Sequence, residues 1–125
     1  MRRKILVLVT TVMLLISMIS GTSFAGNGTS FSTTTRQKIG QLTNSSGTNQ
    51  TAYVIILPGP TSPATELQLC SANGAAVYES DTYLPYPPNT HRLTKTIAPG
   101  ITVSFYVKPV TSGTYVWGTG EYGFQ

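Results

Sequence analysis

With one His, one Cys, four acidic and eight basic side chains among 125 residues, and a formal charge of +4, this chain lacks the raw material of most enzyme and metal chemistry. Arg2, Arg3 and Lys4 crowd the N-terminus, so Arg36, Lys38, Arg92, Lys95 and Lys108 face Glu66, Glu79, Asp81 and Glu121 over the rest, a balance of +1. That leaves no basic run to release counterions from nucleic acid, so no nucleic-acid partner is expected.

The first 25 residues predict a cleaved secretory signal. Arg2-Arg3-Lys4 forms the positive region, and Ile5 to Ile19 an apolar run interrupted by Thr10, Thr11 and Ser17. Ser23-Phe24-Ala25 then places small side chains at the −3 and −1 positions that a signal peptidase accepts. The apolar run is shorter than the ~20 residues of a permanent span, so the expected product is a released, extracellular protein without a membrane span. Residues 26–125 are of a length for one domain, stabilised without an intrachain disulfide because Cys70 is alone.

Gly26 to Ser30 reads as a mobile lead-in. Phe31 to Leu42, with Thr33-Thr34-Thr35, predicts one polar, edge-like strand, and Asn44 to Gln50 a polar loop. Gln50 to Leu57 predicts a central strand: Tyr53-Val54-Ile55-Ile56-Leu57 is apolar at successive positions, the pattern of a strand covered on both faces. Pro58-Gly59-Pro60 ends it, since proline has no N–H for a ladder.

From Glu66 to Ser71 the pattern alternates, with Leu67 and Leu69 on one face and Glu66, Gln68 and Cys70 on the other. Asn73-Gly74 predicts a type I′ hairpin pairing Cys70 with Val77 and Leu69 with Tyr78. Continued, that register sets Glu66 opposite Asp81, so a bulge or frayed ladder is expected before the like charges meet. Thr82 to His91, with Tyr83, Tyr86, Pro85, Pro87 and Pro88, reads as a stiff aromatic loop. Arg92 to Ile97 is a short strand, followed by a type II turn at Pro99-Gly100. Ile101, Val103, Phe105 and Val107 then alternate with polar residues, one face buried and one wet. After a turn at Thr111-Ser112-Gly113 comes a last strand, where Gly118, Gly120 and Gly123 mark bulges or close backbone approaches. About seven short strands and no helical period predict an all-β fold, a small antiparallel β-sandwich.

Chemistry is limited by what is missing. His91 follows a proline-rich loop and no Gly-x-Ser-x-Gly elbow accompanies it, so it reads as an exposed imidazole. Glu79-Ser80-Asp81 is too small a set for a metal, and no phosphate-binding loop or cofactor motif is present. Cys70 reads as a small buried hydrophobe, the alternative being an intermolecular bridge or reactive thiol. Asn27, Asn44 and Asn49 open Asn-x-Ser/Thr sequons.

What remains suits surface contact. The 100 residues from Gly26 onward hold 17 Thr and 9 Ser, a neutral hydroxyl-rich surface, and Tyr83, Tyr86, Trp117 and Tyr122 are candidate ligand-binding rings. The expected function is non-catalytic binding of an extracellular glycan or protein surface, or self-association into a matrix. A secreted toxin or antimicrobial is the alternative, and a small secreted hydrolase ranks third.

Overall fold

The computed structural model describes residues 26–88 and 91–125, so the expected signal segment lies outside the described residues. Among these described residues eight strands, rather than about seven, follow in order: β1 (Asn27–Thr33), β2 (Gln37–Thr43), β3 (Gln50–Pro58), β4 (Thr65–Ser71), β5 (Val77–Tyr83), β6 (Leu93–Ile97), β7 (Thr102–Pro109) and β8 (Val116–Phe124). They form two antiparallel four-stranded sheets, β1-β8-β3-β6 and β2-β7-β4-β5, with no helix among the described residues. Only β4 and β5 are joined as sheet neighbours; every other connection carries the chain from one sheet to the other. The inner faces share one core, in which Phe31, Val54, Ile56 and Val116 meet Leu67, Leu69, Val103 and Phe105.

Two early expectations are corrected. The opening residues are not a mobile lead-in: Asn27 to Thr33 pairs with Tyr122 to Val116 along β8, and the Thr29 hydroxyl donates to the Ile39 carbonyl of the opposite sheet at 2.9 Å. Phe31 to Leu42 is not one strand. The Thr33 hydroxyl accepts the Thr35 N–H at 3.0 Å, and this local turn takes the chain from the first sheet into the second. The β-favouring threonine run concealed the turn that one of its own hydroxyls makes.

The β4–β5 hairpin keeps Cys70 opposite Val77, yet its turn is not type I′. Among the described residues no non-glycine has positive φ; Gly74 alone of the pair does, at 77°, and its N–H closes a turn onto the Ser71 carbonyl at 2.9 Å. The Asn73 carboxamide instead accepts the Ala75 N–H at 3.0 Å, lengthening the loop. The expected irregularity is present: the register shifts between Leu69 and Cys70, so Leu69 faces Glu79 rather than Tyr78, and Glu66 faces Thr82 instead of Asp81. The type II turn also forms, with Gly100 at φ 80° and Ile101 N–H bonded to the Ala98 carbonyl. In the following strand Val103, Phe105 and Val107 are buried as the alternation requires, but Ile101 precedes β7 and is exposed.

Arg36, in the turn after β1, covers the outer face of the second sheet. Its guanidinium donates to Gln68 Oε1 at 2.9 Å and to the Gly74 carbonyl at 2.8 Å, and lies 3.9 Å from the Tyr106 ring centroid. Cys70 is thereby sealed beneath it, and burial pushes its thiol pKa up although Arg36 pulls the other way. A raised pKa and burial both disfavour the thiolate that a nucleophile or metal ligand would need at Cys70.

The glycines of β8 mark close approach rather than bulges, since its registers with β1 and β3 run without a shift. A Cβ on Gly118 would stand 2.4 Å from the Leu57 carbonyl oxygen and 2.8 Å from Pro58 Cα. Gly118→Ala should therefore cost about 2–3 kcal/mol, because backbone, not a movable side chain, must give way. Thermal unfolding checks this, and an unchanged melting temperature would show that β3 yields freely.

Candidate functional site

Strand alternation decides which aromatic rings reach the surface. In β8, Val116, Gly118, Gly120 and Tyr122 face inward while Trp117, Thr119 and Glu121 face outward, as their registers with core residues of β1 and β3 require. Tyr122 accordingly packs against the core, its ring 5.2 Å from that of Phe105 and filling the space beside Gly40. Tyr83 is not in a loop at all. It ends β5, is 0% exposed, and donates its hydroxyl to the His91 carbonyl at 2.5 Å. Both residues were candidates for a binding face; Tyr83 belongs to the core, and Tyr122, partly buried, packs against it.

Tyr86 and Trp117 remain on the surface and come together. Tyr86 is 86% exposed, and with Pro85 and Pro88 it borders a groove of about 410 Å³ whose floor includes Leu57, Gly59 and Trp117. The Trp117 ring lies over Gly59, where a Cβ would be 2.2 Å from it, so the Pro58-Gly59-Pro60 turn seats the indole as well as ending β3. The Trp117 N–H of the backbone is held by the Ser62 hydroxyl at 3.1 Å.

Leu57, Pro88 and Thr119 also line a second, larger groove of about 900 Å³, so the two are continuous along the outer face of the first sheet. Ile55 and Leu57 of β3 supply its apolar floor, Gly28 and Ser30 of β1 one side, and Arg92 and Glu121 its charged groups. The expectation that β3 is covered on both faces is thus corrected. Ala52, Val54 and Ile56 are in the core, but Ile55 is only half-buried and Leu57 is 56% exposed. An apolar run identifies a strand with two apolar faces, and nothing in it states whether both are covered.

At the far end of the groove Tyr53 is nearly inaccessible, with the Arg92 guanidinium 4.2 Å from its ring centroid. Its hydroxyl donates to Glu121 Oε1 at 2.5 Å. Burial, reinforced by the Glu121 carboxylate, raises the Tyr53 pKa to about 12. The polar end of the groove is therefore held in place by charge and hydrogen bonds, whereas its middle is apolar.

The remaining candidate groups are dispersed. His91 Nδ1 lies 2.8 Å from Asp81 Oδ2 in an exposed pair, and Cys70 contacts Arg36 and Gln68, so the nominal Cys70–His91 pair shares no partner. Among the described residues no group of three or more His, Cys, Asp or Glu is placed to hold a metal. Of the sequons, Asn44 is 0% exposed and its Nδ2 donates to the Thr48 and Ile97 carbonyls at 2.8 and 3.0 Å. The atom that would carry a sugar is thus already engaged inside the fold, while Asn27 and Asn49 are exposed.

Sequence reasoning missed Ile55, Leu57 and Arg92 as surface groups. The signal available was the proline pair flanking Gly59, which marks a turn but does not show which ring it seats. No protein-family model matches the chain, and no curated protein sequence and no solved structure is significantly similar to it.

Proposed function

We propose that this is a secreted, non-catalytic β-sandwich protein that binds an extracellular glycan along the groove on the outer face of its first sheet. The observation that carries the reading is the continuity of the two grooves, which places Trp117 and Tyr86 beside an open trough rather than a closed pocket. An elongated ligand fits such a trough. A sugar ring offers an apolar face for stacking on indole or phenol and hydroxyls for the rim, where Ser30 and Thr119 lie. The proline-bordered position of Tyr86 limits the conformational entropy lost on contact. The signal at residues 1–25 supports an extracellular setting.

Tyr86→Ala and Leu57→Asp test this without disturbing the core, because both side chains are exposed. Each should leave the melting temperature nearly unchanged. Retention on insoluble polysaccharide or cell-wall material should fall about 5- to 10-fold for each, on the order of 1–1.4 kcal/mol. Unchanged retention in both variants would remove the groove as the binding face. A protein that is oligomeric until Leu57→Asp makes it monomeric would show instead that the apolar floor serves self-association.

A further inference from the structure

The backbone nitrogen of Gly26 lies 3.2 Å from Glu121 Oε1, the same carboxylate oxygen that accepts the Tyr53 hydroxyl. Gly26 is also the residue that follows Ser23-Phe24-Ala25, where small side chains occupy the positions read by a signal peptidase. In the uncut chain this nitrogen is an amide with one proton and no charge. Hydrolysis of the Ala25–Gly26 bond adds one water: its oxygen goes to the Ala25 carboxylate, and its protons join the amide proton on Gly26 as an ammonium group.

We propose that cleavage after Ala25 creates an α-ammonium group at Gly26 that is bound in place by Glu121, so that processing completes an ion pair for which the folded domain already holds the carboxylate.

Three features of the site fit this. Glu121 is only partly exposed and is oriented by Tyr53, so its carboxylate does not have to be ordered when the amine appears. Position 26 tolerates only glycine: a Cβ there would be 2.3 Å from the Tyr122 carbonyl oxygen and 2.4 Å from the Tyr53 hydroxyl. A peptidase that reads the −3 and −1 side chains makes no such demand at the following residue, whereas this seat does. Third, β1 begins at the next residue, with Asn27 paired to Tyr122, so the ladder fixes the nitrogen beside β8.

The charges around the amine come from three strands or their flanks. Glu121 of β8 favours the ammonium form, Tyr53 of β3 stays neutral because its pKa is about 12, and Arg92 before β6 opposes it from across the Tyr53 ring. Contact with the carboxylate decides the sign, since Coulomb interactions weaken with distance. The amine pKa is therefore raised in the folded state. Its contribution to stability is complete below the unfolded value near 8 and is lost as pH rises through the folded value. The pairing holds whatever the groove binds.

The full 125-residue chain should be expressed in a secreting host and the product purified from the medium. Its N-terminal sequence should begin at Gly26. The pKa of its α-amine, read from the pH dependence of acetylation rate by mass spectrometry, should lie about one unit above the ordinary value near 8. Glu121→Gln, which keeps an acceptor for Tyr53 but removes the charge, should return it to ordinary. Acetylation should lower the melting temperature by about 5 °C more in the wild type than in Glu121→Gln. A product beginning at another residue, or an ordinary amine pKa in the wild type, overturns the proposal. The wild-type titration decides the matter alone if the variant is not recovered folded.

Discussion

Tyr83→Ala should cost about 3–5 kcal/mol, the range for truncating a fully buried aromatic ring, out of roughly 5–15 kcal/mol that a domain of this kind has in total. The ring is 0% exposed at the end of β5 and packs in the shared core. Its loss leaves a cavity and also strips the His91 carbonyl of its partner. Urea unfolding should show a much lower midpoint at an unchanged slope. Tyr83→Phe separates the two effects, since it keeps the ring and removes the hydrogen bond, at about 1 kcal/mol. An alanine variant within 1 kcal/mol of the wild type would place Tyr83 outside the core and return it to the binding face.

A loss of similar size is expected between pH 10 and pH 12. Tyr53 and Tyr83 both have pKa values raised to about 12, in each case chiefly by burial, with Glu121 adding to the first and Asp81 to the second. In the unfolded chain both hydroxyls ionise near 10. The stabilisation is thus complete below pH 10 and disappears as pH rises towards 12, where the unfolded state releases protons that the folded state retains. About two units for each group correspond to about 2–3 kcal/mol each. Tyrosinate absorbance should show two rings ionising together with the unfolding transition, not before it. Tyr53→Phe should remove roughly half of the pH dependence. A stability that stays flat from pH 10 to 12 would contradict the burial of these hydroxyls. This window lies above that in which the Gly26 amine titrates, so the two effects can be resolved in one series.

The contrast between Tyr83 and Tyr86 shows where reading from sequence stops. Both stand among prolines, three residues apart, and composition treats them alike. One ends a strand and points into the core, while the other is 86% exposed on the loop that follows. The difference is set by where β5 ends, and β5 carries Glu79, Ser80, Asp81 and Thr82, a polar run with no alternation to announce it. It is a strand because β4 offers it a ladder, from Thr65–Tyr83 to Cys70–Val77. Tyr122 was misplaced for a related reason. Only the pairing of Val54 with Tyr122 and of Ile55 with Glu121 determines which parity of β8 faces inward.

Local patterns were sufficient for what depends on short-range chemistry. The all-β class followed from short apolar alternations punctuated by Gly and Pro, and the extents of β3, β4, β6 and β7 were close to those in the structure. Pro99-Gly100 forms the turn expected of it because Pro and Gly impose their own φ angles. Like charges at Glu66 and Asp81 foretold an irregular hairpin, since repulsion between facing carboxylates is local once a register is assumed. Tertiary structure alone decided the division into two sheets, because six of the seven connections cross between them and pair residues far apart in sequence. It also decided that the outer face of β3 is open, that Trp117 rests on Gly59 beside Tyr86, and that Glu121 reaches back 95 positions to Gly26. The physical reason is common to all three. Backbone chemistry acts over a few residues, whereas burial and charge pairing depend on which surfaces the whole chain brings together.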